Sequence, residues 1–304
     1  MDFNLSFLTR HKISDSLRIY LDQIVSFVWY HLYKEGDKRS VIPPDEYDEV
    51  FVESFTENLD LNEWRYGMPW GNFHPDNLTQ YYDTSGELSR ITEDGIALDI
   101  RNIPKTFYKK DLPEWQQTEE MPDVFTIPVG VGYISTKRGW KYGWFEAWVK
   151  VPKGKHYWHA FWTSGMNSWP PEIDIFEGYS DISSSYGGSR PFKIPNRKMQ
   201  PNLHYGVVED GTKEAYGTYN NQIADLTDRY VQFVCHWEED HITIYYDGHR
   251  VFECTEKKVL DWFNKEGSDQ FVIFNHGVSS DYPDNPDETS MMVKNFRVLQ
   301  KRNQ

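Results

Sequence analysis

Three carboxyl side chains fall within six residues in Glu172-Ile173-Asp174-Ile175-Phe176-Glu177, directly after Trp169-Pro170-Pro171. Carboxyls in such a group can divide labour, one ionised and attacking, another holding a proton to deliver. Side chains alternate faces on a strand, so Glu172 and Asp174 share a face and Glu177 has the wrong parity. A bulge at Ile175-Phe176 adds one residue and brings Glu177 back to that face. Lining up like charges is unfavourable, because each raises its neighbours' pKa. Retaining glycoside hydrolysis gives that cost a purpose: it uses two carboxyls ~5–5.5 Å apart, one as nucleophile and one as acid. The middle Asp174 can share a proton with the nucleophile and help keep the second Glu protonated. A solvated edge strand is the ordinary alternative. It does not explain acids interleaved with Ile, Ile and Phe.

The elements around this strip read as short strands separated by turns. Gly95 to Ile100, Trp144 to Val151, Trp158 to Thr163, Glu172 to Glu177, Tyr230 to Trp237, His241 to Tyr246 and Met292 to Leu299 are β-like. Asp247-Gly248 marks a hairpin turn between two apolar runs. Many short strands without intervening helices indicate an all-β sandwich or barrel. Residues 1–45 differ. Leu17, Leu21, Ile24, Val25, Val28 and Leu32 fall at helical spacing. Ser14 or Asp15 can cap that helix, Gly36 can end it, and Pro43-Pro44 breaks the chain. The expected organisation is an N-terminal helical extension over 1–45 and a catalytic sandwich over 46–304.

Composition narrows the function. With 47 acidic against 32 basic residues, net charge -15, the chain lacks the basic surface a nucleic-acid interface needs. Twelve Trp and 20 Tyr exceed ordinary core use and suit a surface that stacks on sugar rings. Cys235 and Cys254 are no disulfide framework and are expected as buried free thiols. The longest apolar stretch, Ile24 to Tyr33, is too short to span a membrane. A secretory signal is not evident at the N-terminus.

The hexapeptide resembles the signature of glycoside hydrolase family 16 in its bulged form. Lys141 to Ala147, Val149 to Lys155, Ala160-Phe161-Trp162, Trp237-Glu238 and Tyr245 to Gly248 are similar to that family's flanking segments. The resemblance implies a concanavalin-like jelly-roll β-sandwich of two antiparallel sheets with a concave cleft for a polysaccharide. It implies Glu172 as nucleophile, Asp174 as assisting acid, and Glu177 as general acid and then base, with no cofactor. Trp148 stands where the family often has Arg, so an unusual sugar contact is expected there. Lys294 stands where the family often has a calcium-liganding Asp, which disfavours a structural calcium; no metal ligands are expected. Asn275-His276-Gly277 departs from the usual apolar and glycine-rich stretch.

Trp162, Trp169 and Trp158 are expected to stack on sugar, against the plainer reading of core packing. His204 is expected to contact the acids or the sugar. Asn72 and His74 follow Trp70-Gly71 in an early loop and are candidates for the cleft rim; Arg138 and Trp140 are candidates for a substituent contact. The implied activity is endo-acting hydrolysis of a β-linked polysaccharide by a monomer. The lean is to β-1,3- or mixed-linkage glucan; the alternatives are a β-galactan (agar, porphyran, carrageenan or a host-type galactoside) and a non-catalytic carbohydrate-binding sandwich. Such a substrate suggests an extracellular or periplasmic setting.

Overall fold

The computed structural model describes residues 40–74, 78–154, 156–179, 198–208, 211, 213–217, 226–279 and 286–302. The helix expected in the first 45 residues falls almost wholly outside these. The described chain is a β-sandwich of two large sheets, consistent with a jelly roll. One α-helix, Lys257–Phe263, packs on it through Val259, Leu260 and Phe263.

The seven-stranded sheet runs from edge to edge as Glu214–Gly217, Lys198–Tyr205, Glu172–Tyr179, Tyr157–Gly165, Gln270–Val278, Tyr133–Thr136 and Trp64–Tyr66. The acid strand Glu172–Tyr179 therefore lies third in order. Its sheet is packed against a ten-stranded one centred on Val231–Trp237, Gly143–Lys150 and Ser290–Lys301. Tyr47–Glu53 pairs with Ser290–Lys301, so the first and last described strands close on each other. Among the described strands pairing is antiparallel except for Gln80–Tyr82, which lies parallel to Val129–Val131; the isolated bridge between Val151 and Thr227 is parallel too. The expected sandwich of two antiparallel sheets thus carries one parallel strand pair at an edge.

Every strand read from the sequence is present, with ends shifted by a few residues. Gln270–Val278 was not legible, because all nine of its residues are buried and no alternation survives. Lys198–Tyr205 was hidden by Pro201, which argues against a strand interior.

Between the sheets lies an aromatic core. Phe161 stacks on Phe274 with centroids 4.5 Å apart, and Phe176 of the acid strand meets Phe233 of the other sheet at 4.2 Å. Burying each such ring stabilises the fold by ~1.5–3 kcal/mol. Phe161 and Phe176 thereby anchor two neighbouring strands on their inner face, leaving the alternate residues to face outward. Cys235 and Cys254 are buried free thiols in the ten-stranded sheet.

Candidate active site

The outward face of the seven-stranded sheet floors a cleft of ≈ 700 Å³, within the ~300–1,000 Å³ usual for ligand sites. Glu172, Asp174 and Glu177 all line it. The bulge that allows this lies at Ile175-Phe176. On one side Asp174 pairs with Asn202 and Glu177 with Gln200, so Ile175 and Phe176 together oppose the single residue Pro201. On the other side Phe161 pairs with Phe176 and Trp162 with Asp174, which skips Ile175. Both bulged side chains are buried in the core. The carbonyl of Ile175 accepts a 2.8 Å hydrogen bond from the hydroxyl of Tyr246, reaching across from the other sheet. Gly178 follows Glu177 because a Cβ there would overlap the imidazole of His159.

Each glutamate is tied to an indole. Trp169 Nε1 donates to Glu172 Oε2 at 2.6 Å, and Trp158 Nε1 donates to Glu177 Oε1 at 3.1 Å. His204 Nε2 lies 3.3 Å from Glu172 Oε1 and 3.4 Å from Asp174 Oδ2, with the Asn202 amide 3.0 Å away. His204 reaches this place because it is the cross-strand partner of Glu172. Burial pushes the Glu172 carboxyl well above its ordinary range, and the charge of Asp174 adds to this; His204 and the Trp169 hydrogen bond oppose it. Burial raises Asp174 as well, with Glu177 adding to the rise and Lys213 opposing it. Two buried carboxyls so placed hold one proton between them over a wide pH range.

The structure brings most of the expected residues together. Trp158, Trp162, Trp169, His204 and His74 line the cleft with the acids. Trp162 is held by its Nε1, which donates to Asn275 Oδ1 at 2.7 Å. Trp169 is less open than a free stacking surface, since the Lys213 ammonium sits 4.2 Å from its ring.

Three expectations are corrected. Trp148 belongs to Gly143–Lys150 in the ten-stranded sheet, opposite Gln232 and Lys294, and does not line the cleft. Asn72 does not line it either; its carbonyl accepts from Tyr82 N, while His74 two residues on faces the cleft. Trp140 is a core residue, and Arg138 lies over the rings of Phe51 and Trp140 and pairs with Glu63. None of these lines the cleft with the acids; for Trp148 the reason is that which sheet a strand joins is not a local property of its sequence.

Lys294 lies with its ammonium 3.9 Å from the centroid of the Tyr230 ring. Glu172, Asp174 and His204 offer ligand atoms within 4.8 Å of one another, a grouping across two strands that sequence spacing hides. The cleft also holds Trp70, Trp115, Tyr82, Tyr133, Gln200 and Asn202, which sequence reasoning missed. For Gln200 and Asn202 the signal was their same-face spacing with His204.

A family model described as "Glycosyl hydrolases family 16" matches residues 130–272, the stretch that holds the acid strand and both its neighbours. This stretch, just under half of the chain, is similar to that family. A glucan endo-1,3-beta-glucosidase of Cryptopygus antarcticus is 29% identical over 244 residues, covering 74% of this chain and 78% of that protein. Among solved structures, the catalytic domain of an endo-1,3-beta-glucanase (laminarinase) from Thermotoga petrophila RKU-1 matches with TM-score 0.61 and 21% identity, over 86% of this chain and 100% of that one. A chain from work on endo-acting O-glycanases of the human gut microbiota matches with TM-score 0.66 and 20% identity, over 87% and 94%. At these identities the two structures speak for the shared fold alone. Among the described residues no helix is long and apolar enough to cross a membrane.

Proposed function

We propose that this chain is a family 16 enzyme, an endo-acting, retaining glycoside hydrolase that cleaves β-1,3- or mixed-linkage glucan by double displacement. The observation that carries the reading is the bulged strand, which turns Glu172, Asp174 and Glu177 to one face on the floor of an elongated cleft. In this reading the sandwich is a concanavalin-like jelly roll and the cleft is its concave face. The 29% identical glucan endo-1,3-beta-glucosidase supports glucan as the substrate class.

Glu172 attacks the anomeric carbon as a carboxylate. Glu177 gives its proton to the departing glycosidic oxygen in the same step. The bond to the leaving sugar breaks as the glycosyl ester on Glu172 forms. Water then attacks that ester, Glu177 takes the water's proton, and Glu172 returns as a carboxylate. Glu172 and Asp174 share the proton of the buried pair, and the attack proceeds from the form in which Asp174 carries it and Glu172 is ionised. The indole donors fix one oxygen of each glutamate and so fix the plane in which each carboxyl acts. Preorganised donors of this kind lower the barrier without reorganising during the reaction.

The test is digestion of a polysaccharide panel: laminarin, mixed-linkage glucan, agarose, porphyran, carrageenans and a poly-N-acetyllactosamine glycan. Short oligosaccharides from laminarin or mixed-linkage glucan are expected. Products from a galactan alone would move the substrate class while leaving the mechanism. No products from any polymer would count against the enzyme reading.

A further inference from the structure

One wall of the cleft is built outside the two main sheets. Lys105–Tyr108 and Val124–Ile127 form a two-stranded sheet of their own. It has a small core in which Phe107 stacks on Phe125, centroids 5.8 Å apart, and Phe73 meets both rings edge-on. The segment between these strands carries a tight turn at Glu114–Gln116. Gln116 is buried and its Nε2 donates to the carbonyl of Phe73 at 2.9 Å. Its amide fills the space that a Cβ on Gly71 would need, and Gly71 has φ +131, a conformation open to glycine. The turn is thus locked to the loop that carries Trp70 and His74.

Trp115, next to this anchor, is 55% exposed and lines the cleft. Among the described residues no aromatic ring or cation packs on its ring. Trp169, the other exposed tryptophan of the cleft, differs: its Nε1 is committed to Glu172 and Lys213 covers its ring. A single exposed apolar residue needs no explanation. An open indole on a turn anchored beside a carbohydrate cleft is a different case, because Gln116 already holds the backbone that carries it and stacking on it need order only the side chain.

We propose that Trp115 is the stacking platform of an outer sugar-binding subsite, and that this subsite makes the enzyme favour long chains. The inference rests on the hydrolase reading above and adds a subsite to it. The cleft lining reaches across six adjacent strands, from Ala215 to Tyr133, which is ~24 Å at 4.7–4.9 Å per strand. The strand of Tyr133 lies three strands from the acid strand, ~14 Å away. Trp115 belongs to that end: Tyr82 contacts Tyr133 at 4.4 Å and bonds to Asn72, one residue before the carbonyl that anchors Gln116. A sugar on Trp115 is therefore remote from the bond being cut. Its contact is equal in ground and transition states, so it acts on KM and leaves kcat alone.

The experiment compares full-length wild type, Trp115→Ala, Trp115→Phe and the control Val124→Ala, an exposed position of the same small sheet. Each is assayed on laminarin and on laminari-oligosaccharides of increasing length. Trp115→Ala should raise KM about tenfold on long chains, with kcat kept and the shortest cleaved oligosaccharide unaffected. Trp115→Phe should recover part of the loss, and Val124→Ala should match wild type. An equal loss at every chain length would assign Trp115 to the wall's structure and overturn the proposal; so would no loss at any length. Wild-type inactivity on every β-glucan would instead overturn the glucan reading. The same length series is then run on the polymer that the panel digest identifies, with the same two deciding outcomes.

Discussion

Replacing Tyr246 by Phe removes one hydroxyl from the core and tests how the acid strand is held. Ile175 has no cross-strand partner on either side, so its carbonyl is surrendered by the ladder at the bulge. Tyr246, fully buried in the opposite sheet, supplies the missing donor at 2.8 Å. Burial pushes its hydroxyl pKa well up, with the charges of Asp174 and Glu177 adding to this, so it stays a donor at any working pH. Without it a buried carbonyl loses its partner, which costs ~1–3 kcal/mol. For a chain of this size ~2–4 °C of Tm follows per kcal/mol, so thermal unfolding should shift down by ~2–12 °C. The bulge also sets the parity of Glu177. If it relaxes, Glu177 moves against Glu172 while the rest of the cleft stays, and kcat should fall by ~10- to 100-fold with KM little changed. Thermal unfolding and steady-state kinetics on laminarin read the two effects. A Phe variant with wild-type Tm and wild-type kcat would refute the claim that this hydroxyl holds the bulge.

Further outcomes are expected. Glu172→Gln should abolish turnover while keeping polysaccharide binding and the fold, and Glu177→Gln should lower kcat by ~10²–10⁴-fold; near-normal activity in either removes that residue from its role. Asp174→Asn should lower kcat but raise Tm at neutral pH. The folded state holds the Asp174 pKa well above 3.8, so it keeps a proton that the unfolded chain loses as pH rises, and wild-type stability falls through that window. A lower Tm in Asp174→Asn at neutral pH would contradict this. His159 works in the opposite sense: burial lowers its pKa from 6.5 to about 3, so the unfolded chain takes up a proton first and stability is lost as pH falls below 6.5. The loss is ~1.4 kcal/mol per pH unit, and His159→Leu should flatten the acid side of the Tm–pH curve. An unchanged slope would count against the buried neutral imidazole.

The acid strip and its bulge were legible because strand parity is a local rule: Glu177 is one residue out of step, and only an insertion repairs it. His204 was legible as a neighbour of the acids, although its role as Glu172's partner needed the register. Trp148 failed for the opposite reason. It was expected at the sugar from the family position alone, yet its strand pairs with Val231–Trp237 in the other sheet. Asn72 and His74 sit two residues apart in an irregular loop, where no period says which one faces the cleft. Trp115 gave no signal in Pro113-Glu114-Trp115-Gln116, since its exposure depends on Gln116 locking into a loop some forty residues earlier.

The most direct test of the account is the stereochemistry of the first product. Proton NMR of a fresh laminarin digest, read before mutarotation, reports the anomer released at the cut. The β-anomer is predicted, because two displacements at the same carbon through Glu172 retain the configuration. An initial α-anomer would mean that water attacks directly, and would contradict Glu172 as the nucleophile.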